Sequence, residues 1–485
     1  MSENHVTLRI YRFDPGASVK PHHDDFQIPH YKGLTVLDAL IYIYENIDSS
    51  LSFRWSCKNV QCGTCGMLVN GQPVLACERK LEPEEKVRID PFPLPIVKDL
   101  VTDFCSVEDK KVRVFSRLPP AGRPEILSPE EVDPLISLHK CLDCHICDTV
   151  CPLNKGKARI EPGSFLPADL VQLASIVFNK REGEDRIGLA YSKKLYQCLT
   201  CGACVKVCPV EIDIVEDAIE KLRQEFMRQD GEPYRRLFDP KDWVERWVEL
   251  KGQPFLEEAK EEYNVSSPKG RVSFFVGCIM NRRQQDLAFS TINVLNKNQF
   301  DVIVPKNQRC CGQPLMRIGM VEEAKELLRK NISIFEEMGV SQVITTCPDC
   351  SFAFREDYRR LVGNGDRKPR FEVLDMISLL PLSKLNKSQE MACHNPCYLS
   401  KQGVRLSDKL AKKGVELREV INDCCGAGGG VYFTNTPLAE EISRKTVNGI
   451  KSNILVTGCP FCKEEFEKVF DKERKIIHYI EVFSK

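Results

Sequence analysis

All but two of the 24 cysteines fall at regular spacings, and those spacings govern what this 485-residue chain can fold into. Cys57-x4-Cys62-x2-Cys65 is followed by Cys77. The string Cys-x2-Cys-x2-Cys-x3-Cys-Pro occurs twice, as Cys141, Cys144, Cys147, Cys151 and as Cys198, Cys201, Cys204, Cys208. A longer cysteine pattern is duplicated further on. Disulfides would be expected of a small secreted chain. This chain is large, opens without a basic segment and apolar stretch, and has no apolar run of bilayer-spanning length, so metal binding in the cytoplasm is the expectation. Lys plus Arg number 69, as do Asp plus Glu, so no basic field points to nucleic acid or anionic lipid as a partner.

The first module spans residues 1–100. Val6, Leu8 and Ile10 alternate with polar residues, the period of a half-buried strand. Thr35 with Asp38 reads as a helix N-cap, and Val36, Leu37, Leu40, Ile41 and Tyr44 follow at helical spacing. Cys57, Cys62, Cys65 and Cys77, with a Val69-Asn70-Gly71 hairpin signal, match plant-type 2Fe-2S spacing. Gly63 and Gly66 allow a tight loop whose amides turn toward sulfur. Zinc also accepts four thiolates, but its fingers pair two short CxxC knuckles.

The second module, residues 101–265, carries the doubled two-cluster ferredoxin signature. The fourth cysteine of each run then serves the other cluster. Cys141, Cys144 and Cys147 pair with Cys208, and Cys198, Cys201 and Cys204 pair with Cys151, each set for a 4Fe-4S cluster. Helical patterns at 167–180 and 215–228 predict a mainly helical module. His145 reads as loop filling, and Cys105 as a buried thiol.

From 266 onward the chain repeats itself: FFVGC (Cys278), Cys310-Cys311-Gly312 and TTCPDC (Cys347, Cys350), then HNPC (Cys397), Cys424-Cys425-Gly426 and TGCPFC (Cys459, Cys462). Strand-like runs at 272–276, 302–304, 343–345, 420–421 and 454–456 alternate with helical stretches such as 321–338 and 438–450. Each copy therefore reads as a small α/β layer with cysteines at strand ends. Five thiolates exceed the four of a tetrahedral zinc or a cubane, and adjacent cysteines suit bridged metals. On spacing alone, structural zinc or a regulatory disulfide pair stays open.

Residues 1–265, through SCKNVQCGTC, the returning LAC and the doubled CxxCxxCxxxCP, resemble the iron-sulfur subunit of the succinate dehydrogenase and fumarate reductase family. Many of its members replace the second cysteine of the last run and carry a 3Fe-4S cluster. This chain keeps Cys201, so 4Fe-4S is expected. Residues 266–485 resemble the CCG domain, most closely the catalytic subunit of heterodisulfide reductase, whose two copies each hold a noncubane 4Fe-4S cluster through five cysteines. By position, one set is Cys278, Cys310, Cys311, Cys347 and Cys350, and the other Cys397, Cys424, Cys425, Cys459 and Cys462. Cys393 could stand in for Cys397, although HNPC aligns better with FVGC through Cys397.

The fusion of the two halves resembles the thiol:fumarate reductase family of methanogenic archaea. That resemblance implies a multidomain α+β fold: a plant-type ferredoxin β-grasp (1–100), a helical two-cluster bacterial-type ferredoxin (101–265), and two repeated α/β CCG domains (266–388 and 389–485). It implies one 2Fe-2S cluster, two cubane and two noncubane 4Fe-4S clusters, coenzyme M and coenzyme B as thiol substrates, and an FAD-containing fumarate reductase flavoprotein as the partner. The glycines at 426–430 follow a cysteine pair and read as a cluster loop, not a dinucleotide fingerprint. Arg282, Arg283 and Arg317 stand where they could meet anionic groups, with surface arginines the plainer reading. The alternatives are the iron-sulfur subunit of a quinone-linked succinate dehydrogenase or fumarate reductase, or of a glycolate or lactate oxidase. Residues 266–485 offer no strong basic amphipathic anchor for the first, and the plant-type module argues against the second.

Overall fold

The computed structural model describes residues 4–17, 20–103, 128–154, 165–179, 186–230, 253–362, 369–379, 390–471 and 473–484. Cys105 lies outside them. The chain divides into two compact units, Met1–Leu195 with Gly202–Leu222, and Tyr196–Cys201 with Arg223–Lys485.

In the first unit, β1 (His5–Arg12), β2 (His22–Pro29), β3 (Gly66–Val69), β4 (Gln72–Leu75) and β5 (Lys86–Asp90) form one sheet in the order β2-β1-β5-β3-β4. The period-2 pattern of β1 turns Val6, Leu8 and Ile10 into a core shared with Val36, Leu37, Leu40 and Ile43 of the helix Val36–Asn46. Thr35 starts that helix: its Oγ1 accepts from the Asp38 amide at 3.1 Å, and Asp38 Oδ2 accepts from the Thr35 amide at 3.2 Å. Asn70 and Gly71, at φ 52° and 75°, make the two-residue turn between β3 and β4. Strand β2 carries no sequence signal, because its HHDDFQIP buries only Ile28 fully. It is an edge strand, held by its antiparallel backbone ladder to β1.

A small ribbon, β6 (Ile96–Lys98) with β7 (Val101–Thr102), leads to the helical part of this unit. There Pro129–His139, Pro167–Val177 and Ile214–Glu220 pack together. Pro167 opens its helix, and Asp169 Oδ2 accepts from the Leu166 amide at 3.0 Å. The helix expected over 215–228 begins as a π-helical segment, Ile214–Glu220, and becomes α-helical at Lys221–Asp230.

The second unit holds two parallel sheets. The strands β8 (Glu262–Tyr263), β9 (Gly270–Phe274), β10 (Phe300–Ile303), β11 (Gln342–Thr345) and β12 (Glu372–Asp375) run in the order β12-β11-β9-β10-β8. In the other sheet, β13 (Met391–His394), β14 (Leu417–Ile421), β15 (Ile454–Thr457) and β16 (Lys475–His478) run β14-β13-β15-β16. Apart from the antiparallel edge strand β8, the two orders correspond strand for strand, so the duplicated cysteine pattern rides on a duplicated topology. In each sheet the connections leave the two central strands toward opposite sides, which opens a crevice at their carboxyl ends. One apolar cluster includes Phe274, Val302 and Ile344 from the first repeat with Cys393, Val456, Tyr479 and Ile480 from the second. The chain is a multidomain protein of mixed helix and strand.

Replacing Thr35 with Ala removes the cap and costs about 1 kcal/mol. The expected outcome is about fivefold faster amide exchange across Val36–Asn46, with exchange in the second unit unchanged.

Candidate functional site

Three of the four cysteines of the first module sit in or beside a loop whose backbone is turned toward them. Lys58, Val60 and Gly63 adopt φ of 56°, 51° and 70°, which aims successive amides inward. The Asn59 and Gln61 amides each donate to Cys57 Sγ at 3.3 Å, and the Val60 amide donates to Cys77 Sγ at 3.4 Å. A Cβ on Gly66 would lie 2.7 Å from the Phe92 ring, so any larger residue there displaces that ring. Burial pushes the Cys65 thiol up to about 12.

The two Cys-x2-Cys-x2-Cys loops have the same backbone turns. Asp143 and His145 in the first run, and Thr200 and Gly202 in the second, all have positive φ (55°, 57°, 49° and 76°). Cys141, Cys144, Cys147 and Cys208 line one cavity together with Leu142, Ile212 and Ile214. Burial pushes the Cys144 thiol up to about 12. Of the other expected set, Cys151 and Cys204 belong to the first unit and Cys198 and Cys201 to the second. His145 does more than fill its loop. It is buried, its Nδ1 lies 2.7 Å from Asp148 Oδ2, and Asp148 Oδ1 accepts from the Ala168 amide at 3.0 Å. That bridge ties the Cys144–Cys147 loop to the helix Pro167–Val177.

In the second unit the crevices of both sheets are filled with thiols. Contacts of hydrogen-bond length run from Cys278 to Cys310, Cys310 to Cys311, Cys311 to Cys350 and Cys350 to Cys347. The second repeat mirrors them: Cys397 to Cys424, Cys424 to Cys425, Cys425 to Cys462 and Cys462 to Cys459. The two rows meet where Cys347 contacts Cys459, and the second continues from Cys424 to Cys201. The glycine after each cysteine pair explains the recurring Cys-Cys-Gly. Gly312 and Gly426 have φ of 81° and 90°, and a Cβ would lie 2.7 Å from the Ala324 carbonyl or 2.4 Å from that of Ala439. The glycine after each cysteine pair therefore packs directly on the backbone of a nearby helix, Val321–Glu337 in the first repeat and Thr436–Val447 in the second.

A cavity of about 60 Å³ opens beside the first row, lined by Cys278, Cys311, Cys347, Asp349 and Cys350 of the first repeat and by Gly428–Gly430, Phe433 and Phe461 of the second. Asp349 Oδ2 accepts from Cys459 Sγ at 3.3 Å, and Asp349, Cys347 and Cys459 offer ligand atoms within 4.8 Å of one another. Desolvation, reinforced by charge at Cys347, pushes the Asp349 carboxyl well above the usual carboxylate range. Sequence reading missed this residue, although the contrast of CPDC with CPFC marks it. Cys397 contacts Cys424, whereas Cys393 lies on β13 inside the apolar core, fully buried. Two of the three arginines considered for anion binding, Arg317 and Arg283, are paired with carboxylates: Arg317 is 2% exposed with both Asp357 oxygens at 2.9–3.1 Å, and Arg283 bonds Glu464.

These donor sets fit iron-sulfur clusters. A buried thiol whose ionisation is opposed by its surroundings becomes a ligand when a cation replaces its proton. Five sulfurs linked in a row in each repeat are one more than a tetrahedral ion takes.

Comparison with known proteins agrees with this reading. Residues 7–109 match the 2Fe-2S iron-sulfur cluster binding domain, residues 137–212 the 4Fe-4S dicluster domain, and residues 272–355 and 391–467 the cysteine-rich domain CCG. Over 99% of its length the chain is 34% identical to an uncharacterized iron-sulfur protein of Methanocaldococcus jannaschii, covering 98% of that protein. It is 30% identical to the B subunit of fumarate reductase (CoM/CoB) of Methanothermobacter marburgensis, over 96% of each chain. Over 68% of its length it is 28% identical to the D subunit of dihydromethanophenazine:CoB–CoM heterodisulfide reductase of Methanosarcina acetivorans, covering 88% of that protein.

Replacing Cys397 with Ser is expected to remove the iron and acid-labile sulfide of one cluster per chain. Replacing Cys393 with Ser should leave both at the wild-type level. Metal and sulfide analysis of the two anaerobically purified variants checks this.

Proposed function

The chain belongs to the family of fumarate reductase (CoM/CoB) B subunits, and on that footing we propose that its two repeats oxidise coenzyme M and coenzyme B to their heterodisulfide. It is an iron-sulfur electron-transfer subunit of an oxidoreductase. In the proposed reaction each thiol gives up one proton and one electron as a single S–S bond forms. The two electrons leave for an FAD-bearing partner subunit, where fumarate and two protons become succinate.

The observation that carries this reading is the thiol array. Two five-cysteine rows meet at Cys347 and Cys459 and continue to Cys201, and Cys278, Cys311, Cys347 and Cys350 of the first row border a cavity closed by residues of the second repeat. In the proposed assignment Cys278, Cys310, Cys311, Cys347 and Cys350 hold one noncubane cluster, and Cys397, Cys424, Cys425, Cys459 and Cys462 the other. The ferredoxin cysteines hold one 2Fe-2S and two cubane 4Fe-4S clusters. When bound, such clusters supply one-electron acceptors, which suits a reaction that needs two single-electron steps. The protein's own contribution is the enclosure. Phe433 and Phe461 on one side limit water, while Asp349 on the other offers a polar group beside the sulfurs. Among the described residues no helix is long and apolar enough to cross a membrane.

Iron and acid-labile sulfide in anaerobically purified chain should match one 2Fe-2S, two cubane and two noncubane 4Fe-4S clusters. Adding coenzyme M and coenzyme B should change an EPR signal that is lost on replacing Cys310 or Cys424 with Ser. Iron sufficient only for the three ferredoxin clusters, with zinc in the repeats, would reduce the repeats to a structural part.

A further inference from the structure

Arg223 is fully buried, and its guanidinium joins three separate stretches of the second unit. Nη2 donates to the Cys198 carbonyl at 2.8 Å, in the loop that carries Cys198 and Cys201. Nη1 donates to the Arg317 carbonyl of the first repeat at 2.6 Å and to the Gly429 carbonyl of the second at 3.1 Å. Only a planar fork reaches three carbonyls in this way; an ammonium has the charge without the span. The guanidinium also stacks over the Tyr196 ring at 4.9 Å, and the Tyr196 hydroxyl donates to the Ile318 carbonyl at 3.0 Å.

The surrounding backbone is packed to the same end. A Cβ on Gly428 would lie 2.3 Å from the Leu199 carbonyl, one on Gly429 2.1 Å from that of Cys198, and one on Gly319 2.5 Å from that of Arg223. Lys401 Nζ donates to the Thr200 carbonyl at 3.0 Å. The loop is thus pressed onto both repeats, and its Cys201 sulfur contacts Cys424. Removing water from a buried cation is costly, and here every named contact of that cation lies at the junction of the thiol array with the ferredoxin loop.

We propose that Arg223 is the positioning residue for electron exchange between the second repeat and the cluster held by Cys198 and Cys201. Its fork fixes the Cys198–Cys201 loop against Cys424, and its permanent positive charge favours the reduced, more negative form of that cluster. A single electron changes place; no bond forms or breaks. This rests on the reading that Cys198 and Cys201 ligate a cluster, and its consequence is a potential and a coupling set by Arg223 whichever thiols the repeats accept.

The test uses the full chain, purified anaerobically, in Arg223→Met, Arg223→Lys and Cys198→Ser forms, without thiol substrates. The signal missing from Cys198→Ser identifies the cluster in an EPR-monitored potentiometric titration. At fixed potential Arg223→Met is expected to shift its reduced-to-oxidised ratio about tenfold toward oxidised, a midpoint lower by about 59 mV for one electron. Arg223→Lys is expected to keep the midpoint closer to wild type but to weaken the magnetic coupling to the second repeat's signal. Because Arg223→Lys keeps the charge, it carries the test if Arg223→Met does not fold. Wild-type midpoint and coupling in fully loaded Arg223 variants overturn the proposal alone. Undiminished iron in Cys198→Ser overturns it together with the cluster reading beneath it.

Discussion

The contact between Cys347 and Cys459 is the point on which the second unit depends, because it brings one five-thiol row against another in the protein interior. Thiolates packed this closely repel one another and are poorly solvated, so they cannot all ionise unaided. Metal ions relieve both problems at once, and a site of this kind couples metal binding to the stability of the fold that makes it. The two parallel sheets supply what the thiols require. Their carboxyl ends open at the reversals of strand order, and the glycine after each cysteine pair packs on a helix backbone.

Duplication made the two rows alike, yet the cavity lined by the two repeats is not symmetrical. Position for position, Asp349 of CPDC answers to Phe461 of CPFC, and both line the cavity. One side therefore presents a carboxyl beside sulfur and the other an aromatic wall that Tyr432 and Phe433 extend, with ring centroids 4.8 and 5.9 Å from Phe461. A cavity of this kind can distinguish two different thiols, which a symmetrical one would handle alike. The same asymmetry appears in the wiring, since it is the second row, through Cys424, that touches Cys201.

Much of this was legible in the sequence because cysteine spacing and short-range turn chemistry are local. The Thr35 cap, the Asn70-Gly71 turn and the inward amides around Cys57 follow from residues a few positions apart. The duplicated cysteine motifs likewise announced the repeat. Other features had no local sign. Strand β2 is polar and exists through its ladder with β1. Strand β13 is a four-residue MACH whose His394 is fixed by Thr457 and the Asp423 carbonyl, 63 and 29 residues away. Arg223 looked like one more residue of an amphipathic helix, because its three carbonyl partners lie at 198, 317 and 429. Burial by distant backbone leaves no periodicity to read.

Anomalous diffraction at the iron edge, from crystals of the full chain grown without oxygen, tests the thiol array most directly. A multi-iron peak within each five-cysteine row, one on either side of the Cys347–Cys459 contact, is the predicted result. A single tetrahedral zinc in each row, with iron confined to the ferredoxin loops, would contradict it.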